Sequence, residues 1–177
     1  MHSGSAIDTS KSYIYGTAKN YKTLEKADLI FMRAYAKHTI QNDTGATKDY
    51  NEAIRIRKKP DSWDYTYRGQ LMLKLDNRAE AYEDFNQSLV INPADTQARN
   101  LRYHMLVDDR RFDEALSDAR VLQRTFPNDT TALLMLGNCL DDTSKKDSAC
   151  IVWSRAVELG SHLALFNKNL LCRYRNY

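Results

Sequence analysis

Residues 62–95 read SWDYTYRGQLMLKLDNRAEAYEDFNQSLVINPAD, and this stretch decides the fold because its pattern returns at a fixed interval along the chain. Small and apolar residues stand 34 positions apart in three consecutive segments: Ala81, Ala115 and Ala149; Met72, Leu106 and Leu140. Pro93 and Pro127 repeat the same interval, each after an apolar run with helical spacing. An interval of about 34 residues is typical of solenoids whose units are a helix, a turn and a second helix.

Such a unit needs small residues where its two helices cross. Glycine and alanine let the helix axes approach at the short end of the usual range of about 8–10 Å, and a larger residue one turn further fills the adjacent groove. Each pair buries only one face alone, so neighbouring pairs stack into a continuous core. We therefore expect the periodic residues to build the scaffold and not to contact a ligand.

The order of these residues resembles the tetratricopeptide repeat, in which a glycine, an alanine, an aromatic residue and a proline stand at fixed places. The first segment, 62–95, fills them with Gly69, Ala81, Phe85 and Pro93. The segments 96–129 and 130–161 keep most of the pattern, with three departures or substitutions: Tyr103 at the glycine place, Trp153 at the aromatic place and Ser161 at the proline place. The resemblance implies an all-α, right-handed helix-turn-helix solenoid with a C-terminal capping helix.

The chain before residue 62 departs from the period. Residues 1–12 are small and polar, and we expect a flexible arm. Residues 13–61 are predicted to form an irregular N-terminal unit or first repeat. Its parts are a helix over 27–40, a loop of turn formers over 41–48 and a helix over 49–59. Ala53 lies 28 residues before Ala81, which predicts a lengthened loop and a shortened second helix.

Residues 162–177 are predicted to form the capping helix, because their apolar side chains cannot all be hidden on an isolated helix. Residues 149–172 carry Ala149-Cys150, Trp153, Leu159-Gly160 and Cys172. This passage resembles the C-terminal end of a group of bacterial tetratricopeptide proteins. In that group these residues close the solenoid and have no catalytic role.

The three cysteines, Cys139, Cys150 and Cys172, have no C-x-x-C spacing and no paired histidines, so we expect no metal site. Buried free thiols are the simplest interpretation. If the capping helix folds back on the last repeat, Cys150 and Cys172 become neighbours. They are then either two packed thiols, which we favour, or a disulfide in an exported protein.

Composition excludes several classes of function. The net charge of +3 is mild, and acidic and basic residues are interspersed, so we expect no nucleic-acid partner. The chain has no run of eighteen apolar residues, and we expect no membrane insertion. The first residues, MHSGSAIDTSKS, lack the apolar part of a secretory signal. A cytoplasmic location is slightly favoured over a periplasmic one, which would require earlier removal of a signal.

We find no enzyme motif. The chain lacks a glycine-rich phosphate loop, H-E-x-x-H and G-x-S-x-G, so we predict a non-catalytic protein without a cofactor. One alternative is an unfamiliar active site around His104 and Asp108, which stand one helical turn apart.

The candidate site is the concave surface of the solenoid, where the first helix of each unit lines a groove. Amide and imidazole groups there can donate and accept hydrogen bonds, and aromatic rings can hold an apolar side chain. We therefore predict that the groove binds a peptide or a helix of another protein. The predicted groove residues are Phe31, Tyr35, His38, Thr66, Gln70, Lys74, Gln97, Asn100, His104, Asp108, Thr131, Leu134, Asn138 and Asp141.

A structural role is the main alternative function. The chain has 11 tyrosines, and Tyr13, Tyr15 and Tyr21 give the N-terminal segment an aromatic character. Aromatic residues are enriched at protein interfaces. The alternative prediction is a self-assembly module that forms a homodimer through this segment.

Overall fold

A computed structural model describes residues 25–172. This part of the chain is all-α, and its nine helices follow one another as antiparallel neighbours, which confirms the predicted fold class. The helices are α1 Lys26–Thr39, α2 Asp43–Ile56, α3 Ser62–Lys74, α4 Arg78–Ile91, α5 Thr96–Asp108, α6 Phe112–Thr125, α7 Thr130–Asp142, α8 Lys146–Glu158 and α9 His162–Leu171. The predicted arm and the rest of the segment up to residue 24 lie outside the described residues, as do residues 173–177.

The two helices of every pair are joined by the same three-residue turn, whose middle residue has a positive φ. The middle residues are Gln41, Asp76, Arg110 and Ser144, with φ between 59° and 62°. The last residue of each turn donates its N–H to a carbonyl five residues back, as from Asn77 to Met72 at 2.8 Å. This arrangement satisfies carbonyls that the end of the first helix leaves without partners. Because the four turns are equal, the two helices are aligned with each other in the same way in all four pairs.

The helices that open the second, third and fourth pairs, and α9, begin at a capping side chain: Asp61, Asp95, Asp129 and Ser161. Asp95 accepts from the N–H of Ala98 at 3.0 Å, and Asp129 accepts from that of Ala132 at 2.7 Å. An aspartate at this place satisfies an N–H that the first turn leaves free. Together with Pro93 the caps set where each unit begins.

The predicted loop over 41–48 and the predicted second helix over 49–59 are wrong. Helix α2 begins at Asp43 and not near Asp49, and its 14 residues equal those of α4. The side chain of Asn42 accepts from the N–H of Gly45 at 3.0 Å. The cluster of turn formers therefore caps a helix, so the loop before it is as short as in the other pairs.

This correction changes which residues are equivalent. Ala46, not Ala53, is the counterpart of Ala81, and it lies 35 residues before it. Tyr50 is the counterpart of Phe85, and both side chains are fully buried. The N-terminal pair therefore packs like the others.

Each pair places one small and one bulky residue where its helices cross: Ala34 with Tyr50, Gly69 with Phe85, Tyr103 with Ala119, and Gly137 with Trp153. A Cβ on Gly69 would come within 2.9 Å of the Phe85 ring. In the third pair the sizes are exchanged, which explains how Tyr103 is tolerated at the glycine place. Its hydroxyl donates to the Met135 carbonyl at 3.1 Å.

A second repeated feature links the helices of the first three pairs. An arginine of the first helix donates two hydrogen bonds to a buried aspartate of the second: Arg33 to Asp49, Arg68 to Asp84, and Arg102 to Asp118. The distances lie between 2.6 and 2.9 Å. Paired hydrogen bonds of this kind fix the relative orientation of the two side chains and also stabilise their contact. We call these three pairs the arginine ladder.

The ladder also ties neighbouring units together. Arg68 donates to the Asn51 amide oxygen of the preceding unit at 2.9 Å, and Arg102 donates to that of Asn86 at 2.6 Å. The fourth unit has Leu136 where the next arginine would stand and an apolar partner opposite it. The ladder therefore ends where the core becomes more apolar.

Helix α9 packs on α8 and closes the solenoid, as predicted for the capping helix. Cys150 and Cys172 form a disulfide, with 5.9 Å between their Cα atoms, so the favoured interpretation of two packed thiols is wrong for this pair. Cys172 stands eleven residues after the cap Ser161, and Leu140 stands eleven residues after Asp129 in a core position. The position of Cys172 relative to its cap therefore directs its side chain toward α8. Cys139 is a buried free thiol, as expected.

We expect Asp118→Ala to lower the free energy of unfolding by about 3–5 kcal/mol, because it leaves the partly buried guanidinium groups of Arg99 and Arg102 without their carboxylate. Urea unfolding followed by circular dichroism measures the change. Glu83→Ala is the control, because it removes an exposed carboxylate from a second helix, and it should change stability by no more than about 0.5 kcal/mol. Equal effects of the two changes would contradict a structural role for the ladder.

We expect Gly137→Ala to destabilise the chain by about 1–3 kcal/mol, because the added methyl group collides with the Trp153 indole. In a helix interior without such a neighbour, this substitution usually stabilises by about 0.5–1 kcal/mol. The readout is therefore whether the melting temperature of the variant rises or falls. Ser117→Ala, on the exposed side of α6, is the control. A stabilised Gly137→Ala protein would show that the crossing is loose.

Candidate functional site

The first helices of consecutive units lie side by side, since α1 contacts α3 and α3 contacts α5. In α3, α5 and α7 the positions on their common surface are the second, fifth and ninth residues after the capping aspartate. We call this surface the groove face, and in α3, α5 and α7 its exposed and half-buried residues are Trp63, Gln70, Gln97, Asn100, His104, Thr131, Leu134 and Asn138. In α1 the equivalent residues are Phe31 and Tyr35. Trp63, which is 37% exposed, was missed by the sequence prediction.

The N-terminal end of the groove face is aromatic. The Phe31 ring meets Tyr50 and Tyr67 edge to face, with centroids 5.4 and 5.7 Å apart, and Tyr35 meets Tyr67 at 5.4 Å. Such edge-to-face contacts are favourable for aromatic rings. Tyr35 remains 38% exposed, so part of this cluster is open to a partner. The structure thus brings two predicted residues together with Tyr67, which was not predicted.

His38 and Lys74 also lie close together, but the lysine is engaged. Its Nζ contacts both carboxylate oxygens of Asp43 at 2.8 and 2.9 Å. Burial lowers the pKa of His38, and the nearby Lys74 charge lowers it further. Asp43 opposes this shift, and the net lowering favours the neutral imidazole, which can both donate and accept a hydrogen bond.

Thr66 does not line the groove, and its prediction is wrong. Its side chain is buried, and its hydroxyl contacts the Ser88 hydroxyl at 2.8 Å and the Asp95 carboxylate at 3.0 Å. Thr66 therefore joins α3 to α4 and to the cap of the next unit. Gln70, one turn further along α3, is half-buried.

The middle of the groove face contains an open depression of about 490 Å³. It brings together three predicted residues, Gln97, Asn100 and Thr131, all of which are exposed. Its other lining residues are Thr96, Leu122, Phe126, Asp129, Ala132 and Met135. Within residues 25–172 the side chains of Gln97, Asn100 and Thr131 make no hydrogen bond. Their donors and acceptors are available to a ligand.

His104 and Asp108 are exposed further along α5. The His104 ring meets the Tyr103 ring edge to face at 5.1 Å, and Asp108 is 3.9 Å from the Arg78 guanidinium. Among the described residues no group of three or more histidine, cysteine or acidic side chains is placed to hold a metal. The alternative of an active site at this pair stays a hypothesis.

At the C-terminal end the predicted residues are partly engaged. The amide oxygen of Asn138 accepts from the Trp153 indole at 3.3 Å and from Asn167 of α9 at 2.9 Å. Leu134 and Asp141 are half-buried. Asp142, not Asp141, is the 34-residue counterpart of Asp108, and it is exposed. Burial and the adjacent carboxylate of Asp141 raise the pKa of Asp142.

A second depression, of about 480 Å³, lies on the second helices. Several of its polar groups already have partners, because Arg78 contacts Asp109 at 2.7 Å and the Tyr82 hydroxyl contacts Glu114 at 2.8 Å. The Arg111 guanidinium lies over the Tyr82 ring, 4.1 Å from its centre. This depression therefore offers a ligand fewer free groups than the first.

The homodimer hypothesis depends on Tyr13, Tyr15 and Tyr21, which lie outside the described residues. From residue 25 to residue 172, the helices are too short or too polar to cross a bilayer.

No protein-family model and no curated protein matches this chain. Solved structures do match it. MamA from Desulfovibrio magneticus RS-1, from residue 41 to its end, is 18% identical, with a TM-score of 0.74 over 85% of each chain. YrrB, described as a TPR protein with an unusual peptide-binding site, is 19% identical, with a TM-score of 0.68 over 81% of this chain and 75% of YrrB.

The C-terminal part of a TPR repeat-containing protein from Cytophaga hutchinsonii is 14% identical, with a TM-score of 0.72 over 84% of this chain and 59% of that one. Structural similarity at such low sequence identity shows the fold alone, so the function has to be argued from the site itself. The chain has the fold of the tetratricopeptide-repeat proteins, an all-α, right-handed helix-turn-helix solenoid.

Proposed function

We propose that the chain is a non-catalytic protein–protein interaction scaffold that binds a peptide or a helix of a partner protein along the groove face. The observation that carries this proposal is the open depression at Gln97, Asn100 and Thr131, whose side chains make no hydrogen bond within the described part of the chain. Surface amides with free donors and acceptors are suited to bind backbone N–H and C=O groups.

The N-terminal end of the groove face and the rim of the depression add apolar contacts to this polar middle. Tyr35 and Trp63 are each more than a third exposed near the N-terminal end, and Phe126 is 45% exposed beside the depression. Aromatic anchors with a polar rim are the usual composition of a protein-binding surface. The depression is open rather than enclosed, which suits a chain segment better than a small molecule.

The likeness to YrrB supports the same use of the fold, since YrrB is described as having a peptide-binding site. The groove residues are proposed from their own exposure and bonding. No reaction step belongs to this proposal.

We expect peptides selected on the immobilised chain from a random peptide-display library to bind through Gln97 and Asn100. The double variant Gln97→Ala, Asn100→Ala should raise the Kd of a selected peptide about 5- to 150-fold, since each of the two lost hydrogen bonds contributes about 0.5–1.5 kcal/mol. Fluorescence anisotropy with the labelled peptide measures the Kd.

The matched control is the double variant Gln87→Ala, Ser117→Ala, which removes two exposed polar groups from second helices. It should leave the Kd unchanged within about twofold. A library that yields no binder, or a binder that is weakened only by the control changes, would overturn the assignment of the groove face.

A further inference from the structure

Three polar side chains close the junction between the second and third units. The hydroxyls of Thr66 and Ser88 each lie 3.0 Å from the same carboxylate oxygen of Asp95. The other oxygen of Asp95 accepts from the Ala98 N–H and caps α5. Both oxygens of this aspartate therefore have partners inside the protein. We call Thr66, Ser88 and Asp95 the closed triad.

The next junction keeps the capping aspartate but loses the hydroxyls. The residues 34 positions after the closed triad are Asn100, Leu122 and Asp129. One oxygen of Asp129 accepts from the Ala132 N–H at 2.7 Å and caps α7. Leu122 has no donor group, and neither Asn100 nor the second oxygen of Asp129 forms a hydrogen bond within residues 25–172. The oxygen that hydroxyls contact in the closed triad is therefore available here.

The same three residues line the open depression of about 490 Å³, so a ligand in the depression can reach them. Much of the remaining lining is apolar. Leu122 and Met135 are buried beneath the depression, and the exposed Phe126 ring stands beside it. An occupant that fits this lining must cover apolar surface and also donate a hydrogen bond.

A neutral hydroxyl suits the available oxygen better than a cation does. Asp129 is exposed, and ion pairs at exposed sites contribute little because water and salt screen them. The equivalent oxygen of Asp95 is contacted by hydroxyls. Tyrosine combines a hydroxyl with a large apolar ring. The chain already contains such a contact, since the Tyr82 hydroxyl donates to the Glu114 carboxylate at 2.8 Å.

We propose, resting on the function proposed above, that the depression is the subsite for a tyrosine side chain of the bound segment. The tyrosine ring packs on Leu122 and Phe126, and its hydroxyl donates to the oxygen of Asp129 that does not cap α7. The amides of Gln97 and Asn100 line the same depression, and they bind the backbone on either side of that tyrosine.

The test uses the full chain and a peptide selected from the display library, with three versions of that peptide. We expect the selected peptides to share a tyrosine. Replacing this tyrosine with phenylalanine should raise the Kd about three- to tenfold, because it removes one hydrogen bond and keeps the ring. The other versions carry tryptophan or lysine at that place. A phenylalanine, tryptophan or lysine version that binds as tightly as the tyrosine peptide would overturn the proposal.

The variant Asp129→Ser locates the hydroxyl on the chain. Serine keeps a cap, as Ser161 does for α9 by accepting from the Ala164 N–H at 3.3 Å, but it lacks the second oxygen. The variant should therefore bind the tyrosine and phenylalanine peptides with equal Kd, because both changes remove the same hydrogen bond. A preference for tyrosine that persists in this variant would place the hydroxyl elsewhere and contradict the proposal.

The matched control is Asp61→Ser, the same change at the cap of α3, two units before the depression. This variant should keep the full preference for tyrosine over phenylalanine. Unchanged circular dichroism and melting temperature show that both serine variants are folded.

The remaining outcomes separate the two proposals. If selected peptides bind through Gln97 and Asn100 but carry no shared tyrosine, the groove function stands and the tyrosine subsite is wrong. If no peptide is selected, the groove function fails, and NMR titration with N-acetyltyrosinamide tests the subsite alone. Larger shift changes at Asp129 and Ala132 than N-acetylphenylalaninamide causes would support the subsite, and equal or absent changes would overturn it.

Discussion

The close crossing of the two helices in each pair is the constraint on which the rest of this structure depends. One small residue faces one bulky residue in all four crossings, and the identical three-residue turns bring them opposite each other. The exchange of sizes at Tyr103 and Ala119 shows that the constraint acts on the pair and not on either position alone. Interiors are packed so closely that such complementary changes are the ones that are tolerated.

The arginine ladder adds a second, polar constraint on the same register. Each buried aspartate receives two hydrogen bonds from one guanidinium, and Arg68 and Arg102 also reach back to the unit before. Hydrogen bonding from Arg33 lowers the pKa of Asp49, whereas burial raises that of Asp84 despite its contact with Arg68. The buried aspartates of the ladder are therefore tolerated inside the stack because each one lies opposite its own arginine.

Much of this architecture could be predicted from the sequence, because the glycine, alanine and proline positions recur at one interval. The first unit was misjudged because Asn42 and Gly45 are turn formers by composition but here begin a helix. The disulfide was missed for a different reason: the core position of Cys172 becomes apparent only when Ser161 is recognised as a cap. In both cases the decisive information lies in the start of a helix and not in its apolar pattern.

The candidate site was harder to predict than the fold. Periodicity locates the surface of the first helices, and the depression does bring Gln97, Asn100 and Thr131 together. Periodicity does not show which polar side chains already form hydrogen bonds inside the protein, as Thr66 does with Ser88 and Asp95. Those bonds join residues from different units, so they follow from the stacking and not from any single repeat.

The most direct test of the central claim, that the groove face is the partner-binding surface, is backbone amide NMR of the labelled chain during titration with a library-selected peptide. Binding in the groove predicts chemical-shift changes concentrated in α1, α3, α5 and α7. Changes concentrated in α4, α6 and α8, with the first helices unaffected, would contradict it.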